Sequence, residues 1–148
     1  MAHLRPGWLV ALCATALAVS AWLPWLITGA RGGGHANAIG GTVGSLVLPP
    51  RFGAGQLIVL LASTLAVAGA MAARGLSARL ASVAAVAIST LALALTGWYY
   101  HANVQPPVSA GYGLYVGAGL AIAAVLCSVW ALVAALAGRG LRRTDRNG

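Results

Sequence analysis

The chain has 148 residues, of which 60% are hydrophobic and only 7% are charged. A soluble domain carries about 25% charged residues, so this composition excludes an ordinary water-soluble fold. The charged side chains are nine arginines and one aspartate, Asp145, with no lysine and no glutamate. The chain is therefore expected to be a membrane protein.

Four apolar segments without a charged side chain follow one another, over residues 8–27, 54–73, 80–99 and 112–137. Each has about the 20 residues that a helix needs to cross a hydrocarbon core ~30 Å thick. Because backbone groups find no water in lipid, such segments are helical. We predict an all-α membrane domain over residues 1–148, with four transmembrane helices arranged as two antiparallel hairpins.

The first segment has a competing interpretation. Its start, MAHLRPGWLVALCATALAVSA, has the basic beginning, apolar middle and small-residue ending that are typical of a cleavable signal peptide. The apolar run continues through Trp22, Trp25 and Ile27, which favours an uncleaved helix. Both alternatives stay open from the sequence.

The arginines orient the predicted helices. Arg31 and Arg51 lie in the first long loop, and the other seven arginines fall at the opposite ends of the segments: Arg5, Arg74, Arg79, Arg139, Arg142, Arg143 and Arg146. The positive-inside rule then places both termini and the turn at 74–79 in the cytoplasm. The expected location is the inner (plasma) membrane.

A Pro-Pro pair precedes each helix that would enter the membrane from outside. The stretches VLPPRFGAGQLIV from Val47 and VQPPVSAGYGLYV from Val104 share Val-x-Pro-Pro, six residues and Leu-x-Val. Proline lacks an N–H and disfavours helix in the residue before it, so each pair is expected to end a loop. The repeat indicates either a duplicated hairpin or two independent uses of the same helix-entry chemistry.

The first outer loop, residues 28–53, is long and rich in glycine, whereas the second, residues 100–111, is short. Long loops tend to be functional or disordered. The middle of the first loop, AIGGTVGSLVL, is apolar enough to lie on the bilayer or on a partner, or to form a short strand. We expect this loop to bind a partner protein through Ile39, Val43, Leu46 and Val47.

Two further surfaces are candidates for binding. Gly113 and Gly117 form a GxxxG pattern, which lets helix backbones approach closely, either within the chain or against a partner protein. The predicted cytoplasmic tail, residues 138–148, is expected to bind anionic lipid or only to fix the topology. Its arginines are Arg139, Arg142, Arg143 and Arg146.

The sequence offers little for catalysis. With Asp145 as the only carboxylate side chain and no lysine, it excludes paired-carboxylate chemistry, an acidic Ca²⁺ or Mg²⁺ cage and a phosphate loop with lysine. We predict no catalytic residue, no cofactor and no nucleic-acid partner.

Histidines and cysteines give only two pairs. His35 and His101 fall in the two outer loops, where they are either solvated side chains or a weak two-ligand metal site. Cys13 and Cys127 lie at equal depth, about 18 Å from the predicted outer boundary. They meet only if the first and fourth helices pack together.

Short motifs give a resemblance in layout. SAWLPWL closing the first helix and GYGLY opening the last are similar to those of small four-helix membrane proteins from mycobacteria and related actinobacteria. A large first outer loop with a small second one is also similar to the layout of claudin-like proteins. These resemblances imply the helical layout and no activity.

Two functions remain open from the sequence. The first is a non-catalytic accessory or assembly subunit of a larger cell-envelope or respiratory complex, with membrane proteins and anionic lipids as partners. The second is a small transporter or channel component built from the two hairpins. The polar residues available for a path are Thr15, Ser20, Gln56, Ser63, Thr64, Ser82, Ser89, Thr90, Thr96 and Ser128.

Overall fold

The structure, a computed structural model, describes residues 5–45 and 53–144. This part of the chain is mostly helical, as predicted. Its helices are α1 (Pro6–Ser20), α2 (Ala54–Ala73), α3 (Ala78–Asn103) and α4 (Tyr112–Thr144). Its strands are β1 (Pro24–Thr28), β2 (Gly34–Asn37), β3 (Thr42–Gly44) and β4 (Val108–Ala110), and a 3₁₀ turn covers Ala30–Gly32.

The helices form a closed ring of contacts. α1 lies against α2 and α4, and α3 completes the ring between the same two helices. α2, α3 and the Tyr112–Gly138 part of α4 are long and apolar enough to cross a membrane. α1 has only 15 residues. At 1.5 Å per residue it measures about 22 Å, which is short of a ~30 Å hydrocarbon core.

The prediction of an all-α chain is wrong in one respect, because the end of the first predicted helix and the two expected outer loops form a four-stranded antiparallel sheet. The strand order is β3-β2-β1-β4. Central β1 pairs Thr28 with Gly34 of β2 on one side and with Val108 of β4 on the other. The sheet therefore joins the connection between α1 and α2 to the connection between α3 and α4.

Several helix ends differ from the expected ones. The first helix is expected to reach residue 27 but ends at Ser20, and Pro24 begins β1. A proline lacks the N–H of a helical hydrogen bond and disfavours helix before it. α3 continues to Asn103 and α4 to Thr144, beyond the predicted ends at residues 99 and 137.

The second Pro-Pro pair does not lead directly into a helix. Pro106 and Pro107 form a turn that is followed by β4, and only then does α4 begin. Gly111 joins β4 to α4, and its N–H donates to the Trp25 carbonyl at 2.8 Å. The first pair, at 49–50, lies outside the described residues.

Trp25 is the largest fully buried side chain and lies beyond the C-terminal end of α1. Its indole Nε1–H donates to the Ser20 carbonyl at 2.8 Å. Its ring meets the Tyr99 ring of α3 edge-on, with the ring centroids 5.2 Å apart. Trp25 thus fills the space that a longer α1 would occupy and joins the sheet to the helices.

A second set of contacts holds the turn between β2 and β3 against the start of α2. The Gln56 Nε2–H donates to the Ile39 carbonyl at 2.7 Å, while its Oε1 accepts from the Gly53 N–H at 2.8 Å. Gly55 lies directly against the backbone of Ala38, where a Cβ would collide. The turn between β2 and β3 is therefore fixed onto α2.

At the end of the helices away from the sheet, α1 and α2 meet through glycine. A Cβ on Gly69 would lie 2.7 Å from the Ala11 nitrogen and 2.9 Å from the Gly7 oxygen, so the two backbones are in contact. The Arg5 Nη1–H donates to the Ala73 carbonyl at 2.8 Å. This bond satisfies one of the last carbonyls of α2, which have no partner within the helix.

α1 and α4 bring the two cysteines together. The side chains of Cys13 and Cys127 are partly buried and pack against the same apolar cluster. The equal depth inferred from the sequence brings them to this one cluster because α1 and α4 pack against each other.

The glycine contact predicts that alanine has opposite effects on stability at two helix positions, Gly119 and Gly69. Gly119→Ala should leave stability unchanged or raise it by up to about 1 kcal/mol, because nothing lies within 4 Å of the new methyl group and alanine favours helix. Gly69→Ala should destabilise by about 1–3 kcal/mol, because the methyl group meets the backbone of α1. Thermal unfolding in mild detergent measures both. Equal stability of the two variants would contradict the α1–α2 contact.

Candidate functional site

The exposed face of the sheet carries one continuous row of side chains. Ile27 of β1 pairs with His35 of β2 and Ser109 of β4, and His35 pairs in turn with Val43 of β3. Directly paired residues point to the same side of a sheet. All four side chains are exposed. We call Val43, His35, Ile27 and Ser109 the outer sheet row.

The opposite face of the sheet packs on the helices. Leu26 and Ala36 pair with each other and are buried. Trp25 is buried as well, although successive residues of a strand normally point to opposite faces. A register shift between Pro24 and Leu26 allows both neighbours to turn inward. The burial of this face fixes the orientation of the outer sheet row.

The loop residues predicted to bind a partner divide between two environments. Val43 is 59% exposed and belongs to the outer sheet row. Ile39 is half-buried and packs against the helical core, so it does not contribute to an exposed patch. Leu46 and Val47 lie outside the described residues.

The GxxxG face of α4 is occupied within the chain. A Cβ on Gly113 would lie 2.7 Å from the Leu23 Cβ, and one on Gly117 would lie 2.7 Å from the Trp25 ring. Both glycines are buried. The close approach expected of this pattern brings β1 and the Trp25 indole onto α4, which leaves no room there for the helix of a partner.

The two outer histidines do not form a metal centre with other ligands. His35 lies on β2, His101 lies in the last turn of α3, and both are exposed. Among residues 5–45 and 53–144, no group of three or more histidine, cysteine or acidic side chains is placed to hold a metal ion.

A cleft at the end of the helices away from the sheet was not anticipated from the sequence. It has a volume of about 600 Å³ and lies between the start of α3 and the 134–138 stretch of α4. A smaller pocket of about 150 Å³ adjoins it and reaches Arg5 and Ser82. From the sequence, Arg5 and Arg79 predict only the orientation of the helices in the membrane. Their positions beside adjoining cavities depend on how the helices pack, which the sequence does not show.

Three of the polar side chains that the sequence offers for a path lie together on one buried face of α3. Ser82, Ser89 and Thr96 recur every seven residues on the buried face of this helix. Ser89 and Thr96 donate to carbonyls of their own helix. Ser82 has no hydrogen-bond partner among the described residues. The regular spacing was a signal in the sequence that would have identified this line.

Three of the four arginines predicted to bind lipid lie in α4. Positions 139, 142 and 143 belong to the last turns of this helix, which continues into the segment expected to be a tail. Arg146 lies outside the described residues.

Comparisons of the chain with family models, with curated proteins and with solved structures gave no match. The case for a function therefore comes from the geometry of these surfaces.

Proposed function

We propose that the chain is an integral protein of the plasma membrane, with four spanning helices and both termini in the cytoplasm. In an apolar 18-residue stretch of α2, α3 and α4, only 33%, 33% and 22% of the residues are buried within the chain. The remaining apolar side chains need a hydrocarbon solvent. Hydroxyls on the exposed faces donate to the carbonyl four residues earlier, as lipid exposure requires: Thr15, Ser63, Thr64 and Thr90.

The short α1 is compatible with a spanning role because the sheet extends it. Trp25 and Ala38 are buried beyond its end and occupy the depth of the missing turns. Trp22 and Trp98 are 67% and 68% exposed near the same end, as aromatic side chains are at a membrane–water boundary.

The arginines support the proposed orientation. Arg5, Arg74 and Arg79 lie at the end of the helices away from the sheet, and the arginine-rich end of α4 emerges on the same side. Cytoplasmic segments near a membrane carry an excess of basic residues. The sheet then lies on the outer side.

Within this membrane we propose the role of a non-catalytic accessory or assembly subunit of a larger cell-envelope or respiratory complex. The outer sheet row is the observation that carries this role. Ile27 and Val43 are 42% and 59% exposed on a sheet whose other face is held by buried contacts. Exposed apolar side chains on a rigid support favour a protein contact, and the neighbouring His35 and Ser109 add polar groups.

A second candidate function is a small transporter or channel component. The line of Ser82, Ser89 and Thr96 along the buried face of α3 favours it, since polar side chains inside a membrane protein often mark a substrate path. Ser128 of α4 adds a further buried hydroxyl without a partner among the described residues. The packing of α3 against both α2 and α4 and the near-complete burial of these side chains favour the subunit role instead.

The orientation predicts opposite labelling of two exposed positions. In a background with Cys13→Ala and Cys127→Ala, intact cells should label Val43→Cys with a maleimide that cannot cross membranes. Ser77→Cys, exposed in the turn between α2 and α3, should react only after permeabilisation. Labelling of Ser77→Cys in intact cells would contradict the orientation.

The subunit role predicts that the outer sheet row holds a partner. A photo-reactive phenylalanine analogue at position 43 should form one dominant cross-linked product in native membranes. Ile27→Ser with Val43→Ser should lower the partner recovered per copy by about tenfold, since two apolar contacts are lost. Leu76→Ser is the control, because Leu76 is 55% exposed at the other end. Equal recovery from both variants would rule out this surface.

The transporter alternative predicts transport by the purified protein alone. Liposomes containing the chain should then pass a small polar solute, and Ser89→Leu should block this flux because the larger side chain fills the line on α3. Thr90→Leu, on the exposed face of the same helix, should have no effect. Impermeable liposomes, tested by release of an entrapped dye or ion, would leave the subunit role as the better proposal.

A further inference from the structure

We infer that the cleft at the end of the helices away from the sheet binds the phosphate headgroup of one anionic phospholipid. The main cleft, of about 600 Å³, and the adjoining pocket, of about 150 Å³, share Ala78, Ala134 and Ala135 as lining residues. The inference rests on the membrane placement proposed above. It adds a ligand at the opposite end of the molecule from the outer sheet row.

The start of α3 offers hydrogen-bond donors to an anion. The first backbone bond of the helix runs from the Ala81 N–H to the Ser77 carbonyl at 2.9 Å, so the amides of residues 78–80 precede it. The Ser77 side chain does not cap them. Unpaired amides at a helix start carry a partial positive charge and favour phosphate. Residues 77–80 line the main cleft.

Two arginines add full positive charges to the same space. Arg79 lines the main cleft and Arg5 lines the adjoining pocket. Arg5 uses its Nη1 for the bond to the Ala73 carbonyl, and its guanidinium has further N–H groups. The only carboxylate side chain of the chain is Asp145, so no acidic residue within the described ranges neutralises these arginines.

The buried hydroxyl of Ser82 points independently to a ligand. Ser82 is 1% exposed and lines the adjoining pocket. Its Oγ has no hydrogen-bond partner in the described part of the chain. A buried hydroxyl without a partner is unfavourable, and an oxygen of a bound headgroup supplies that partner.

The walls of the cleft favour a lipid over a soluble phosphate. Ala131, Ala134 and Ala135 of α4 form an apolar side, and Leu80 at its edge is 73% exposed. The cleft lies between α3 and α4 at the arginine-rich end of the helices, where the acyl chains of a membrane lipid have direct access. Basic pockets of this kind between transmembrane helices bind anionic headgroups.

Native mass spectrometry of the purified full chain in mild detergent tests the inference. With added phosphatidylglycerol, one lipid should bind more tightly than the others, and phosphatidylcholine should not replace it. Arg79→Gln should weaken this binding about fivefold. Arg74→Gln is the control of equal charge, because the exposed Arg74 lines neither cavity, and it should change binding less than twofold.

Ser82→Ala should also weaken the binding, whereas Ser128→Ala should not, although both hydroxyls are buried and without a partner among the described residues. Equal effects of Arg79→Gln and Arg74→Gln would overturn the inference, because binding would then depend on net charge alone. Displacement of the lipid by equimolar glycerol phosphate would assign the cleft to a soluble phosphate and overturn it as well.

Extraction of native membranes with alkaline carbonate separates this inference from the proposed function. A chain that is released by carbonate would contradict the membrane placement, whatever lipid it binds in detergent. A chain that stays in the membrane and binds phosphatidylglycerol and phosphatidylcholine equally would contradict only the lipid site.

Discussion

The burial of Trp25 is the constraint on which the rest of the structure depends. α1 ends at Ser20. The carbonyl of Ser20 accepts a hydrogen bond from the indole N–H of Trp25, in place of the N–H that a longer helix would supply. The same ring contacts Tyr99 of α3 and lies against Gly117 of α4. A side chain of this size, buried between three helices, sets the position of β1 and through it the position of the whole sheet.

Small residues determine how closely the helices approach. Gly7 and Gly69 allow backbone contact between α1 and α2, and many of the buried core side chains are alanines. The core of the described residues consequently consists mainly of small apolar side chains, with a few buried hydroxyls. The two candidate surfaces lie at opposite ends of the molecule, the outer sheet row at one end and the arginine-lined cleft at the other.

Much of the helical architecture follows from hydropathy, because long apolar runs in a chain with one acidic residue have few alternatives. The sheet does not, since PWLIT is as apolar as the helix before it and β2 and β3 are only four and three residues long. The outer sheet row depends on the pairing of Ile27 with Ser109, which no local pattern encodes. The GxxxG pattern indicates a close approach on α4, but the sequence does not say that an indole fills it.

The pairing of β1 with β4 has a consequence for the order of assembly. The Ser109 hydroxyl bonds to the Ile27 carbonyl across 82 positions of the chain. In a chain that is made and inserted from its N-terminus, β1 cannot pair with β4 until α3 has been completed. Trp25 cannot be fully buried until α4 is present, because the glycines of α4 form part of its pocket. An unfinished chain therefore presents a tryptophan and an open strand edge, the kind of surface that chaperones and proteases recognise, until β4 pairs with the edge and α4 covers the tryptophan.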